Sequence, residues 1–302
     1  MDKVAFLIIA HKNPEQLRRL VGRLVSERVV FFIHVDKKVD IKPFEYALDD
    51  VEVVWLKRSR SQWGSIGMIK AIMGGLEAIR LIPGISRVTL LSGMDYPLKP
   101  VERILKFFDE HPSSDFIDIV SFDQSGWSEA KIQRIRKYYF FVKDKLFEYP
   151  INPNSPSLLR KMLDMGLSLI LPKTREFPKG LVAYGGWVWF SFSRETVRDV
   201  LSFHAMRPDL MKYVQHCLSS DEIYLHTVLG NLQKGMGAVR PGLTYAKWPQ
   251  GDVPHPAVLT SEHFEELKSL PHLFARKFDE TTDKGVLDRI DTELLTSLPT
   301  NG

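Results

Sequence analysis

Val29-Val30-Phe31-Phe32-Ile33-His34-Val35-Asp36 is apolar on both alternating faces until it reaches His34 and Asp36. Successive side chains of an extended strand point to opposite sides, so a strand of this composition needs cover on both. That argues for an α/β fold, a mainly parallel sheet flanked by helices. The surrounding sequence keeps the alternation. Val4–Ala10, Val51–Leu56 and Val88–Leu91 read as strands, and Pro14–Ser26 and Ser65–Ile82 as helices. Ligands of such folds gather at the carboxyl ends of the strands. Polar groups recur there: His11-Lys12-Asn13, His34-Val35-Asp36 and Ser92-Gly93-Met94-Asp95-Tyr96-Pro97.

The second half is less regular. Residues 150–156 and 172–180 read as loops, Trp187–Phe192 and Leu243–Trp248 as strands. Arg194–Ala205, a segment opening at Ser220, Ser261–Leu270 and Val286–Leu298 read as helices. No internal repeat or low-complexity tract interrupts the chain. We expect one domain over residues 1–302.

With 44% hydrophobic and 26% charged residues in 302, the composition is that of a globular protein with a substantial core. No segment approaches the roughly 18 uninterrupted apolar residues of a membrane span. The opening Met1-Asp2-Lys3 runs into a strand too short for a signal peptide, and the single Cys217 excludes an intrachain disulfide and any multi-cysteine metal site. A cytoplasmic protein is the expectation. The net charge of +4 is mild and no long basic block occurs, so nucleic acid is not an expected partner. The densest basic and aromatic stretch, Lys131–Lys145, reads as a half-buried helix with a solvated basic face, or as a peripheral contact with a membrane surface.

Ser219-Ser220-Asp221-Glu222 heads the apolar run Ile223–Leu229. Ser-x-x-Glu is the pattern of a capping box, in which each side chain bonds the other's backbone N–H at a helix start. It also puts a carboxylate where chemistry could use one. The usual phosphate-binding loops are missing: no Gly-x-Gly-x-x-Gly follows the first strand and no Gly-x-x-x-x-Gly-Lys-Ser/Thr occurs. Asp-x-Asp, through which many nucleotide-sugar enzymes hold a metal, is also absent.

Six motifs then fall into a known order. Ala10–Leu17, Ile33–Lys38, Leu91–Lys99, Gly186–Glu195, Ser220-Asp221-Glu222 and His272–Asp279 together resemble the core-2/I-branching β-1,6-N-acetylglucosaminyltransferases and the related peptide xylosyltransferases. The resemblance implies a glycosyltransferase A type fold, with residues 1–122 as the donor half and 123–302 as the acceptor and catalytic half. It further implies inversion at the anomeric carbon and no metal or other cofactor. The implied donor is a UDP-sugar, N-acetylglucosamine first and xylose as the alternative, and the implied acceptor is a hydroxyl of a glycan or glycolipid.

By the same resemblance Glu222 is the general base, which takes the acceptor proton as oxygen attacks the face opposite the leaving group. Lys277 matches the residue that meets the departing diphosphate. An Arg expected after an upstream His is replaced within His255-Pro256-Ala257, leaving Arg276 or the pair Arg58 and Arg60 to supply that cation. Asp36 matches a nucleoside contact, and His11 and Asp95 stand in donor-side motifs. On the acceptor side Asp123, Lys131 and Arg134 match an acidic residue and a Lys-x-x-Arg, Trp248 matches a sugar-stacking aromatic, and Gln250 replaces a tyrosine. The rivals are a carbohydrate-binding protein on a decayed transferase fold and a dinucleotide-dependent oxidoreductase. The missing Arg favours the first, while the missing glycine fingerprint counts against the second.

Overall fold

The computed structural model describes residues 2–62, 64–122, 129–142, 145–151, 157–232, 239–250 and 255–296; the side chains of residues 129–131 and of Leu159 also lie outside that description. The first half runs β1 (Lys3–Ala10), α1 (Pro14–Gly22), β2 (Val29–Val35), α2 (Lys42–Ala47), β3 (Val53–Trp55), α3 (Gly67–Arg80), β4 (Ile85–Ser92), β5 (Asp95–Pro97) and α4 (Val101–Glu110). β6 (Asp115–Phe116), β7 (Ile119–Ser121), α5 (Glu129–Arg136), β8 (Tyr138–Val142), β9 (Lys145–Tyr149) and α6 (Leu158–Leu167) follow. The remainder is β10 (Tyr184–Gly186), β11 (Ser191–Ser193), α7 (Arg194–Met206), α8 (Pro208–Val214), α9 (Tyr224–Gly230), β12 (Val239–Arg240), β13 (Thr244–Ala246), α10 (Phe264–Ser269), β14 (Phe274–Arg276) and α11 (Gly285–Glu293).

The central sheet has the order β12-β6-β11-β4-β1-β2-β3. β4, β1, β2 and β3 are mutually parallel, and β11 enters antiparallel between β4 and β6. The double-sided apolar reading of β2 holds residue by residue. Phe31 and Ile33 join Phe6 and Ile8 in one core, beside α1, α4 and α11, while Phe32 joins Leu7 in a second core beside α3, α7 and α9. Strand order reverses between β1 and β4, so a crevice opens where their carboxyl ends diverge. A small sheet, β13-β14-β5, lies beyond that edge; β14 pairs antiparallel with β5, which carries Arg276 and Lys277 back to the end of β4. Among the described residues no helix is long and apolar enough to cross a membrane.

Three expectations differ from the structure. Trp187–Phe192 is not one strand: β10 stops at Gly186 and β11 starts at Ser191. Between them the Trp187 carbonyl bonds His226 Nε2 at 2.9 Å instead of a neighbouring strand, and a Cβ at Gly186 would collide with the Asp118 carbonyl oxygen. The basic aromatic stretch is not one helix. α5 ends at Arg136, and the β-favouring run Tyr138–Val142 turns into a hairpin with β9 whose Tyr139 is buried. Some of its rings pack on the body of the protein, Tyr138 under Arg175 and Phe140 on His216, while Val142 and Leu146 stay exposed. The capping box at Ser219 does not form either. Ser219 has a left-handed φ of 57°, its N–H donates to the Gly64 carbonyl at 2.9 Å, and its side chain caps nothing. Ser220–Glu222 is a single 3₁₀ turn and α9 begins only at Tyr224.

Candidate active site

A cleft of about 560 Å³ opens at the crevice between β1 and β4. Its walls are His11 after β1, Asp36 after β2, Ser92 and Met94 after β4, the Trp187–Trp189 bridge, the turn carrying Asp221 and Glu222, Trp248, His255 and the Arg276-Lys277 pair. Polar groups from strand ends far apart in sequence therefore share one solvent space.

Asp36 is fixed rather than free. Its two carboxylate oxygens accept from the backbone N–H of Lys38 at 2.8 Å and of Ser61 at 3.1 Å. This ties the β2 end to the loop before α3. Arg58 locks the same loop from below by donating to the carbonyls of Val35, Asp36 and Val39, at 3.0 Å and 2.8 Å for the first two. Its charge is spent on the backbone, so the expectation that Arg58 supplies the missing cation is corrected, while Arg60 stays exposed beside Ser61 of the cleft wall.

Asp95 is likewise beneath the site rather than in it. It is fully buried, accepting from Ser92 N–H at 2.9 Å and Ser92 Oγ at 2.7 Å, and lies 3.5 Å from Arg276 Nε. Burial pushes its pKa upward against the pull of Arg276. Arg276 itself lies with its guanidinium carbon 3.8 Å from the centroid of Trp189, a close cation–π contact. Lys277 is different: its ammonium makes no hydrogen bond or ion pair among the described residues. Burial, then Lys12 and Arg276, lower its pKa from the ordinary lysine value. Lys12 is held to one side by Asp279 at 2.6 Å, with Asn13 on the other oxygen at 2.9 Å. The His11 ring, half enclosed near Lys12 and Lys277, has its pKa lowered mainly by burial, which favours neutral imidazole.

On the opposite wall Glu222 is partly exposed, and its Oε2 lies 3.4 Å from Arg134 Nη1. The neighbouring Asp221 also faces the cleft and is half-buried, with its Oδ1 shielded from solvent and without a hydrogen-bond partner, and desolvation pushes its pKa up. The same turn thus carries a solvent-facing carboxylate and a desolvated carboxyl. Trp248, 45% exposed, stands edge to face with Trp187 at 5.1 Å between ring centroids, which leaves an aromatic platform at the mouth. Among the described residues no group of three or more His, Cys, Asp or Glu side chains is placed to hold a metal ion.

A family model described as Core-2/I-Branching enzyme matches residues 4–268. The chain belongs to that family. Among curated relatives of this branching-family chain, xylosyltransferase 2 of Homo sapiens is 25% identical over 98% of the chain. Beta-glucuronosyltransferase GlcAT14B of Arabidopsis thaliana is 28% identical over 68% of it. The chain spans about a third of the length of that xylosyltransferase, 34%, and 43% of the glucuronosyltransferase. Among solved structures, mouse xyloside xylosyltransferase 1 in its apo form aligns over 91% of this chain and 97% of its own, with 12% identity and a TM-score of 0.39.

Of the site residues expected from sequence, the fold brings His11, Asp36, Glu222, Trp248, Arg276 and Lys277 of this branching-family chain to the same cleft, with Arg134 against Glu222. Asp123 lies outside the described residues, as does the side chain of Lys131. Trp187, Trp189 and Asp221 line the cleft without having been singled out as site residues. Gly185-Gly186 before an apolar run was the available signal for the first two, since paired glycines mark a close backbone approach.

Proposed function

We propose that this chain is an inverting glycosyltransferase that moves a sugar from a UDP donor to a glycan hydroxyl, with Glu222 as the general base. The supporting observation is the pairing of opposite requirements in one cleft: a partly exposed carboxylate on one wall and an unpaired ammonium, Lys277, on another. In the reaction the acceptor oxygen forms a bond to the anomeric carbon while the bond from that carbon to the diphosphate oxygen breaks. The acceptor proton passes to the Glu222 carboxylate. The electron pair leaves with the diphosphate, whose charge Lys277 meets by electrostatics alone, without a metal ion. A nucleoside diphosphate is a good leaving group, so one carboxylate is enough. Asp36, pinned at the β2 end, holds the nucleoside, and the Trp248–Trp187 platform receives the apolar face of the acceptor sugar.

The donor sugar in this reading is N-acetylglucosamine. Xylose is the competing assignment, favoured by the similarity to xylosyltransferase 2 over nearly the whole chain. Titrating purified protein with UDP, UDP-N-acetylglucosamine, UDP-xylose and UDP-glucuronate, and following thermal shift and slow donor hydrolysis, separates the assignments. A donor that both stabilises the fold and is hydrolysed supports the transferase reading. Binding without hydrolysis or transfer would make the chain a carbohydrate-binding protein.

A further inference from the structure

Helix α6 and the turn that follows it, residues 158–170, leave an unusual amount of apolar surface in water. Leu158 is 73% exposed, Met162 58%, Met165 66%, Leu169 84% and Ile170 74%. Leu158, Met162, Met165 and Leu169 stand at i, i+4, i+7 and i+11, so they form one stripe along the element. The opposite side holds it to the protein. Asp164 accepts from Ile151 N–H at 2.7 Å and Tyr149 donates its hydroxyl proton to the Leu171 carbonyl at 3.0 Å, while Ser157 caps the helix's own first turn by accepting from Arg160 N–H at 3.3 Å. The exposed stripe is therefore the outward face of an anchored helix, and not a loose segment awaiting its place in the core.

The charge around the stripe is one-sided. Arg160, Lys161 and Lys173 are exposed and make no ion pair with a described residue, while Asp164, the one acid between residues 157 and 173, is engaged with the backbone on the inner side. We propose that this face docks on an anionic lipid bilayer, the Leu and Met side chains entering the acyl boundary while the basic side chains meet lipid phosphates. An outward apolar stripe flanked by Lys161, which makes no ion pair with a described residue, with further basic side chains at Arg160 and Lys173, is the pattern of helices that lie in a membrane interface. Pairing with a second copy fits less well. It would bring the Lys161 borders together with no acid on the face to oppose them, and a helix of 10 residues is short for a stable helix pair. The inference is independent of the chemistry assigned to the cleft.

The test is co-sedimentation of the full chain with phosphatidylcholine vesicles, with and without phosphatidylglycerol, at low and high salt. Binding is expected to require phosphatidylglycerol and to weaken as salt rises. The double substitution Leu158→Gln with Met165→Gln, on exposed positions, is expected to lower the partition coefficient about tenfold without moving the unfolding temperature. Lys161→Glu is expected to lower it about fivefold on anionic vesicles. No binding of the wild-type chain to anionic vesicles would overturn the proposal, as would full binding by both variants. So would a wild-type dimer in sedimentation velocity that the double substitution converts to monomer, since the face would then be an interface between copies.

Discussion

Glu222 Oε2 and Arg134 Nη1 lie 3.4 Å apart, joining helix α5 to the 3₁₀ turn that precedes α9. The proposed base is thereby steered by a residue that the sequence assigns to the acceptor. Both side chains are partly exposed, so the pair adds less than about 1 kcal/mol to stability. Its consequence is orientation. Arg134→Gln is expected to leave the unfolding midpoint nearly unchanged while lowering kcat about tenfold, measured as steady-state transfer at saturating donor. Equal activity in the variant would mean that the pair does not position the base.

Asp95 and Arg276 make the opposite kind of pair, with Asp95 fully buried and Arg276 closed over by Trp189. Removing the carboxylate leaves a largely desolvated guanidinium with only the Trp189 ring and the more distant Asp221 to offset its charge. Asp95→Ala is expected to cost about 3–5 kcal/mol in urea unfolding. A loss below about 1 kcal/mol would show that Arg276 is solvated in solution.

Burial and two neighbouring cations lower the pKa of Lys277. The form required to meet the diphosphate is the protonated one. Activity should therefore decline on the alkaline side at a pH below the ordinary lysine value of about 10.4. Lys277→Arg should move that decline upward, because guanidinium does not deprotonate in this range. The pH profile of kcat/KM for both proteins is the measurement. The linkage to stability runs the same way: the unfolded chain binds this proton more tightly than the folded one, so this group's contribution to stability rises with pH between the two values.

Asp221, half-buried with its Oδ1 shielded and unpartnered, has its pKa raised by desolvation. Desolvation favours the neutral form of this carboxyl, which an amide mimics. Asp221→Asn is expected to retain most stability and transfer, whereas Asp221→Lys should destabilise the chain by burying an unpaired charge. Thermal unfolding of the two variants distinguishes them.

The sequence made the parallel core readable because β1 and β2 are apolar on both faces, and only a doubly covered strand requires that. The strand ends were readable too, since His11, Asp36 and Ser92 interrupt those runs where the crevice opens. Ser219-x-x-Glu222 misled because the capping pattern is local, while the left-handed Ser219 is fixed by the carbonyl of Gly64, 155 positions earlier. Trp187–Phe192 misled for a similar reason. An apolar run reads as a strand unless one knows that His226, from α9, takes the Trp187 carbonyl. Arg58 looked like a free cation because backbone carbonyls, its actual partners, leave no trace in a sequence.

Proton transfer from the acceptor falls to Glu222, and Glu222→Gln is the decisive variant, with transfer rate and UDP-sugar affinity measured on the same protein. The change removes the proton acceptor and keeps the shape. The expected result is a fall in kcat of about 10²–10⁴-fold with donor affinity unchanged. Transfer at the wild-type rate by a variant that binds donor normally would contradict the assignment.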